Sequence, residues 1–135
     1  YGLNRVDWNK KVYVVEGPID SLFLDNCIAT AQSDLRVSKK DSVILIPDNE
    51  PRNKEIVKQI ERFISDGYSV VLWPEYVKEK DINDMILSGK SKSEIQKIIN
   101  ENVYSGIKAK TQFVFWKKVE LKNEKNLSRN QYRHG

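Results

Sequence analysis

The chain of 135 residues is long enough for one domain with its own core plus a tail, and too short for two ordinary domains. Hydrophobic residues at 39% and charged residues at 31%, with few glycines and prolines, exclude a disordered or fibrous protein, and no apolar run nears the ~20 residues of a membrane span. The single cysteine, Cys27, excludes an internal disulfide or a zinc ribbon of paired CxxC motifs, and the net charge of +4 is concentrated between Lys108 and Arg133.

The start, Tyr1-Gly2-Leu3-Asn4-Arg5, has neither an initiator methionine nor an apolar signal segment, which suggests a piece of something longer. Lys11-Val12-Tyr13-Val14-Val15 is short and β-branched and runs into Glu16-Gly17, so it reads as a buried strand ending in a loop. Ile19, Leu22 and Phe23 have helical spacing around Asp20 to Leu24, and Cys27 to Ala31 reads as a second strand. The run Ser42-Val43-Ile44-Leu45-Ile46-Pro47 is nearly continuous, as expected of a strand covered on both faces, and it stops at Asp48-Asn49-Glu50-Pro51. From Lys54 to Ser65 the residues Ile56, Val57, Ile60, Phe63 and Ile64 form one helical stripe, closed by Asp66-Gly67. Ser69 to Pro74 is another buried strand. Asp81 to Leu87 reads as a short helix, and Ser91-Lys92-Ser93-Glu94 as a capping box opening a helix to about Glu101, with Ile95, Ile98 and Ile99 inward. Thr111 to Trp116 is strand-like, with Phe113 and Phe115 on one face as core residues, and Glu120 to Gly135 is polar and unpatterned. Trp8 and Trp73 are expected in core or rim packing, and His134 lies in the frayed end.

Strands alternating with helices imply an α/β layered fold: a mostly parallel four-stranded core sheet flanked by helices, with an extra C-terminal strand and a basic tail. The expected division is a domain over 1–105 and a strand plus basic, partly disordered tail over 106–135. In such sheets ligands bind beyond the carboxyl ends of the strands. Three strands here end in acids: Glu16 and Asp20 after the first, Asp48 and Glu50 after Ile46, and Asp81 with Asp84 beyond Trp73. Like charges gathered in one cleft require a cation, and oxygen donors without histidine or thiolate favour Mg²⁺ or Mn²⁺. Each motif also has a plain reading, since Glu-Gly and Asp-Asn-Glu-Pro both occur as ordinary turns and Asp84 suits a solvated helix face.

Glu16-Gly17-Pro18-Ile19-Asp20 resembles the E-G-x-x-D signature of the Toprim family, and Asp48-Asn49-Glu50 resembles its D-x-D motif with glutamate as the second acid. The continuation Pro51 to Glu55 and the later Lys80-Asp81-Ile82-Asn83-Asp84 are similar to bacteriophage DNA primases that carry this domain. The resemblance implies a Toprim-like fold and Mg²⁺- or Mn²⁺-dependent nucleotidyl transfer, making short RNA primers from ribonucleoside triphosphates on a single-stranded DNA template. By position, Glu16 matches the general acid/base or metal-organising glutamate, Asp48 and Glu50 match metal ligands, and Asp20 supports the site, with Asp81 and Asp84 as further ligands or as acids just outside the metal's own ligands. Glu50 departs from the commoner aspartate, which keeps the charge but moves the carboxylate.

Gly17 is expected to let the backbone turn tightly and approach a phosphate without a Cβ, and Arg52 and Lys80 to contact phosphates, unless they form surface ion pairs. Lys108, Lys110, Trp116, Lys117 and Lys118 have the basic and aromatic composition of single-strand binders; a solvated lysine-rich surface is the alternative. Primases of this kind recognise template through a zinc ribbon and contact a replicative helicase, so both are implied as partners outside this chain, in the cytoplasm of a bacterial host. Two rival functions share these features: a Toprim metal-dependent nuclease, and a non-catalytic scaffold for nucleic acid or a helicase.

Overall fold

The computed structural model describes residues 7, 9–29 and 42–118. Trp8, Thr30, Ala31, His134 and the polar stretch from Glu120 lie outside the described residues. Chain order is β1 (Val12–Val15), α1 (Pro18–Ser21), β2 (Cys27–Ala29), β3 (Val43–Leu45), α2 (Lys54–Ser65), β4 (Ser69–Val71), α3 (Ile82–Leu87), α4 (Lys92–Glu101) and β5 (Val103–Tyr104). A final helix, α5, covers 106–118. The sheet has the order β2-β1-β3-β4-β5, parallel throughout except for the β4–β5 pair.

The continuous apolar runs form strands because both faces of the sheet are covered. On one face Val12, Val14, Val43, Leu45, Val70 and Leu72 meet Ile56, Ile60, Phe63 and Ile64 of α2 and Ala109, Phe113 and Trp116 of α5. The alternating residues Val15, Ile44, Ile46, Val71 and Trp73 turn the other way, onto Ile82 and Met85 of α3 and Ile95, Ile98 and Ile99 of α4. The result is a three-layered α/β arrangement, compatible with a Toprim-like fold. Helix α2 opens where the Asn53 side chain accepts hydrogen bonds from the Glu55 and Ile56 N–H groups, and Gly67, at a φ of 89°, turns the chain into β4. Ser91 Oγ likewise accepts from the Glu94 N–H to start α4.

Three expectations change. The segment Thr111 to Trp116 is helical, and the extra strand of the sheet is instead β5. The aromatic and β-branched residues of this segment favour a strand locally, but Ala109, Phe113 and Trp116, spaced four and three residues apart, make a helical face that fills the core beside α2. Phe113 therefore stays buried as expected, whereas Phe115 faces outward at 58% exposure. Helix α1 also falls earlier than the Asp20 to Leu24 spacing suggests, ending at Ser21 before a run of turns. The expected boundary at 105/106 coincides with the start of α5, whose buried residues share the sheet's core. No described helix is long and apolar enough to cross a membrane.

Candidate active site

From β1 the chain passes through α1 to β2 on one side, and afterwards forms β3 on the other side of β1. The strand order therefore reverses between β1 and β3, and the crevice at their carboxyl ends is the place where an open α/β sheet receives a ligand. Glu16 directly follows β1, and Asp48 lies three residues beyond the end of β3. Helix α1 packs against α3, where Asp20 Oδ1 accepts the Asn83 N–H at 2.9 Å. Asp81 caps α3, its carboxylate accepting from the Asp84 N–H at 2.8 Å. This cap gives the Asp81 side chain a structural role in addition to any chemical one.

The electrostatics tie these acids together. Asp48 is pushed up to about 7 from an ordinary value of 3.8, first by burial and then by the charges of Asp20, Asp81, Glu50 and Glu16. Asp20, only 7% exposed, is also raised by burial and by the charges of Asp81 and Asp84, against the opposing hydrogen bond from Asn83. Every influence resolved on Asp48 among the described residues acts in the same direction, against the charged form. Among the described residues, however, no group of three or more His, Cys, Asp or Glu side chains is close enough to form a metal cage by itself. The acids share a field rather than a ready-made coordination sphere. Oxygen-only donors of this kind suit a hard cation that keeps most of its water and takes one or two carboxylates.

The loop bearing Asp48 is held by its neighbours. Trp73 Nε1 donates to the Pro47 carbonyl at 2.9 Å, and the Asn49 N–H donates to the Lys80 carbonyl at 2.6 Å. Asn49 Nδ2 donates to the carbonyls of Val77 and Glu79 at 2.9 and 3.1 Å, while Asn49 Oδ1 accepts from Trp116 Nε1 at 2.9 Å. Trp116, expected to meet template, is instead 5% exposed and stacked on Phe113 with ring centroids 6.0 Å apart. The outward aromatic on this helix is Phe115. Sequence reading passed over Asn49 as a turn residue; nothing local links it to an indole 67 positions away.

The remaining expected contacts fall in several places. Gly17 has a φ of −85°, which any residue adopts, so the conformational reason for a glycine there does not hold. A Cβ at Gly17 would meet Asp20 Oδ2 at 3.4 Å, so what the glycine leaves open is space beside that carboxylate. Lys80 and Arg52 are exposed next to the acids in sequence. Lys108, Lys110 and Lys118 are exposed on α5, and Lys117 Nζ lies 4.5 Å from the centre of the Phe113 ring. The 106–118 helix contains four lysines and no acid.

With this geometry in hand, the likeness to known proteins is informative. No protein-family model matches the chain. Over 124 residues, 88% of its length, the chain is 38% identical to the DNA primase of Enterobacteria phage T4. It is a relative of a phage DNA primase. It spans 36% of that protein's length, so the likeness concerns one part of a larger enzyme.

Proposed function

We propose that this chain is the Toprim nucleotidyl-transfer domain of a phage-type DNA primase, acting with Mg²⁺ or Mn²⁺ to join ribonucleotides on a single-stranded DNA template. The observation that carries this reading is Asp48, half-buried and repelled at once by Asp20, Asp81, Glu50 and Glu16, with no opposing influence resolved among the described residues. A divalent ion relieves that repulsion, and the likeness to a phage primase supplies a chemistry that uses one. Asp48 and Glu50 would be its carboxylate ligands, with Asp20 and Asp81 acting through its water shell and Glu16 as acid/base or organising group. When bound, the ion supplies charge stabilisation at the reacting phosphate.

The chain's own residues do the rest. The exposed Lys80 and Arg52 offer contacts to triphosphate, and Gly17, lacking a Cβ, lets its backbone approach a phosphate. Lys108, Lys110, Lys117 and Lys118 offer a cationic face for the template backbone. A zinc ribbon and a helicase outside this chain complete the proposed machinery. Product analysis tests the proposal: with single-stranded DNA, Mg²⁺ and labelled ribonucleoside triphosphates, the expected product is a ladder of short oligoribonucleotides, abolished by Asp48→Asn. Shortened template would favour a nuclease instead. Absence of Mn²⁺ binding in a direct titration would leave only a scaffold role.

A further inference from the structure

We propose that Asn49 and Trp116 are positioning residues: they hold Asp48 within the acid cluster and make that placement depend on helix α5. The clamp itself is geometric; its relevance to metal binding rests on the reading given under Proposed function.

A loop that carries a carboxylate into a field of like charge is pushed outward, and something must hold it in place. Here the holding groups lie on both sides of Asp48. Ile46 N–H donates to the Val14 carbonyl at 2.8 Å and Trp73 Nε1 fixes Pro47, so the incoming side is tied to the sheet. On the outgoing side Asn49 makes the bonds to the neighbouring 77–80 segment. Its backbone N–H and its side-chain amide nitrogen bond to the carbonyls of Lys80, Val77 and Glu79, which binds this loop to the segment that leads into Asp81.

Asn49 Oδ1 then takes the Trp116 N–H. An indole only donates and a carbonyl only accepts, so this set of partners allows a single orientation of the amide. Aspartate in its place would turn an acceptor toward two carbonyls, and leucine would lose all three side-chain bonds. Trp116 is in turn seated in the core with Ala109 and Phe113, so its indole cannot move without moving α5. The chain of contacts therefore runs from the lysine-bearing helix through one indole and one amide to the backbone beside Asp48. Any ligand or neighbouring domain that shifts α5 shifts the acid loop with it.

Hydrogen exchange and Mn²⁺ titration of the whole 135-residue chain test this, with wild type, Trp116→Phe, Asn49→Leu and the outward-facing Phe115→Ala compared after thermal melts establish folding. In Trp116→Phe and Asn49→Leu, amides at 48–50 and 77–81 should exchange about tenfold faster while those of β1 and β3 keep their protection, and Phe115→Ala should match wild type. Mn²⁺ affinity should fall about tenfold in the same two variants. Unchanged exchange in Trp116→Phe would overturn the clamp, as would faster exchange with wild-type Mn²⁺ affinity overturn its positioning role. If the wild-type chain binds no Mn²⁺, the metal reading falls, and the exchange result alone decides whether the clamp exists.

Discussion

Asp48 and Glu79 are both carboxylates tucked against the same end of the molecule, and they have opposite surroundings. Glu79 receives Lys90 Nζ and Ser88 Oγ on one oxygen at 2.8 and 2.9 Å, and is held down at about 2 from an ordinary 4.5, the Lys90 hydrogen bond being the largest cause. Asp48, ringed by acids, is raised to about 7. The first arrangement stabilises the fold by matching charges; in the second, every influence resolved among the described residues disfavours the charge. Unrelieved charge of that sort is characteristic of sites built for a ligand rather than for stability.

The most severe way to break this contrast is Asp48→Asn. It should reduce metal-dependent activity by roughly 100-fold or more, while the metal-free protein melts at a higher temperature than wild type near pH 7, because the repulsion is gone. Loss of activity together with loss of folding would remove the distinction between the two carboxylates.

Next in size are the pH dependences, which should have opposite signs. Asp48 is protonated in both folded and unfolded chains below its ordinary value of 3.8, so its favourable contribution is complete there and is lost as pH rises through about 7. Glu79 contributes fully above its ordinary value of 4.5, and that contribution disappears as pH falls toward about 2. From these two groups alone, metal-free stability peaks between about pH 4 and 5. Asp48→Asn should flatten the decline on the neutral side and Glu79→Gln the decline on the acid side, as read by urea unfolding at a series of pH values. Adding Mg²⁺ near pH 7 should raise the melting temperature of wild type but not of Asp48→Asn.

The smallest effect belongs to the ion pair. Lys90 and Glu79 are 21% and 18% exposed, so Lys90→Met should cost about 1 kcal/mol in chemical denaturation and leave metal affinity unchanged. A shift in Mn²⁺ binding would mean that the two carboxylates are not separate in function.

Much of this arrangement can be read from the chain. Val12 to Val15, Val43 to Leu45 and Val70 to Leu72 are apolar without interruption because helices cover both faces, and each run leads toward acids that the parallel sheet brings to a common end. Helix 106–118 could not be found the same way, since Phe113, Val114 and Phe115 favour a strand by local preference and only packing beside α2 selects the helical face. Strand β5 is two residues long and is defined by its partner β4, so it leaves no periodic trace. The Asn49 and Trp116 pair depends on where α5 comes to rest.

Strand β5 runs against its neighbour, so the chain leaves the sheet at the rim opposite the acids and turns at Gly106, with a φ of 60°. The following helix climbs back across the face, about 15 Å from Gly106 to Trp116 at 1.5 Å per residue, before its indole reaches Asn49. Its length thus works as a ruler. A single-residue insertion early in the helix would rotate the indole by about 100° and advance it by about 1.5 Å, whereas four added residues would nearly restore the angle and overshoot by a full turn. Natural variants of this protein should accordingly tolerate changes of sequence along the outer side of that helix far more readily than changes in its number of residues.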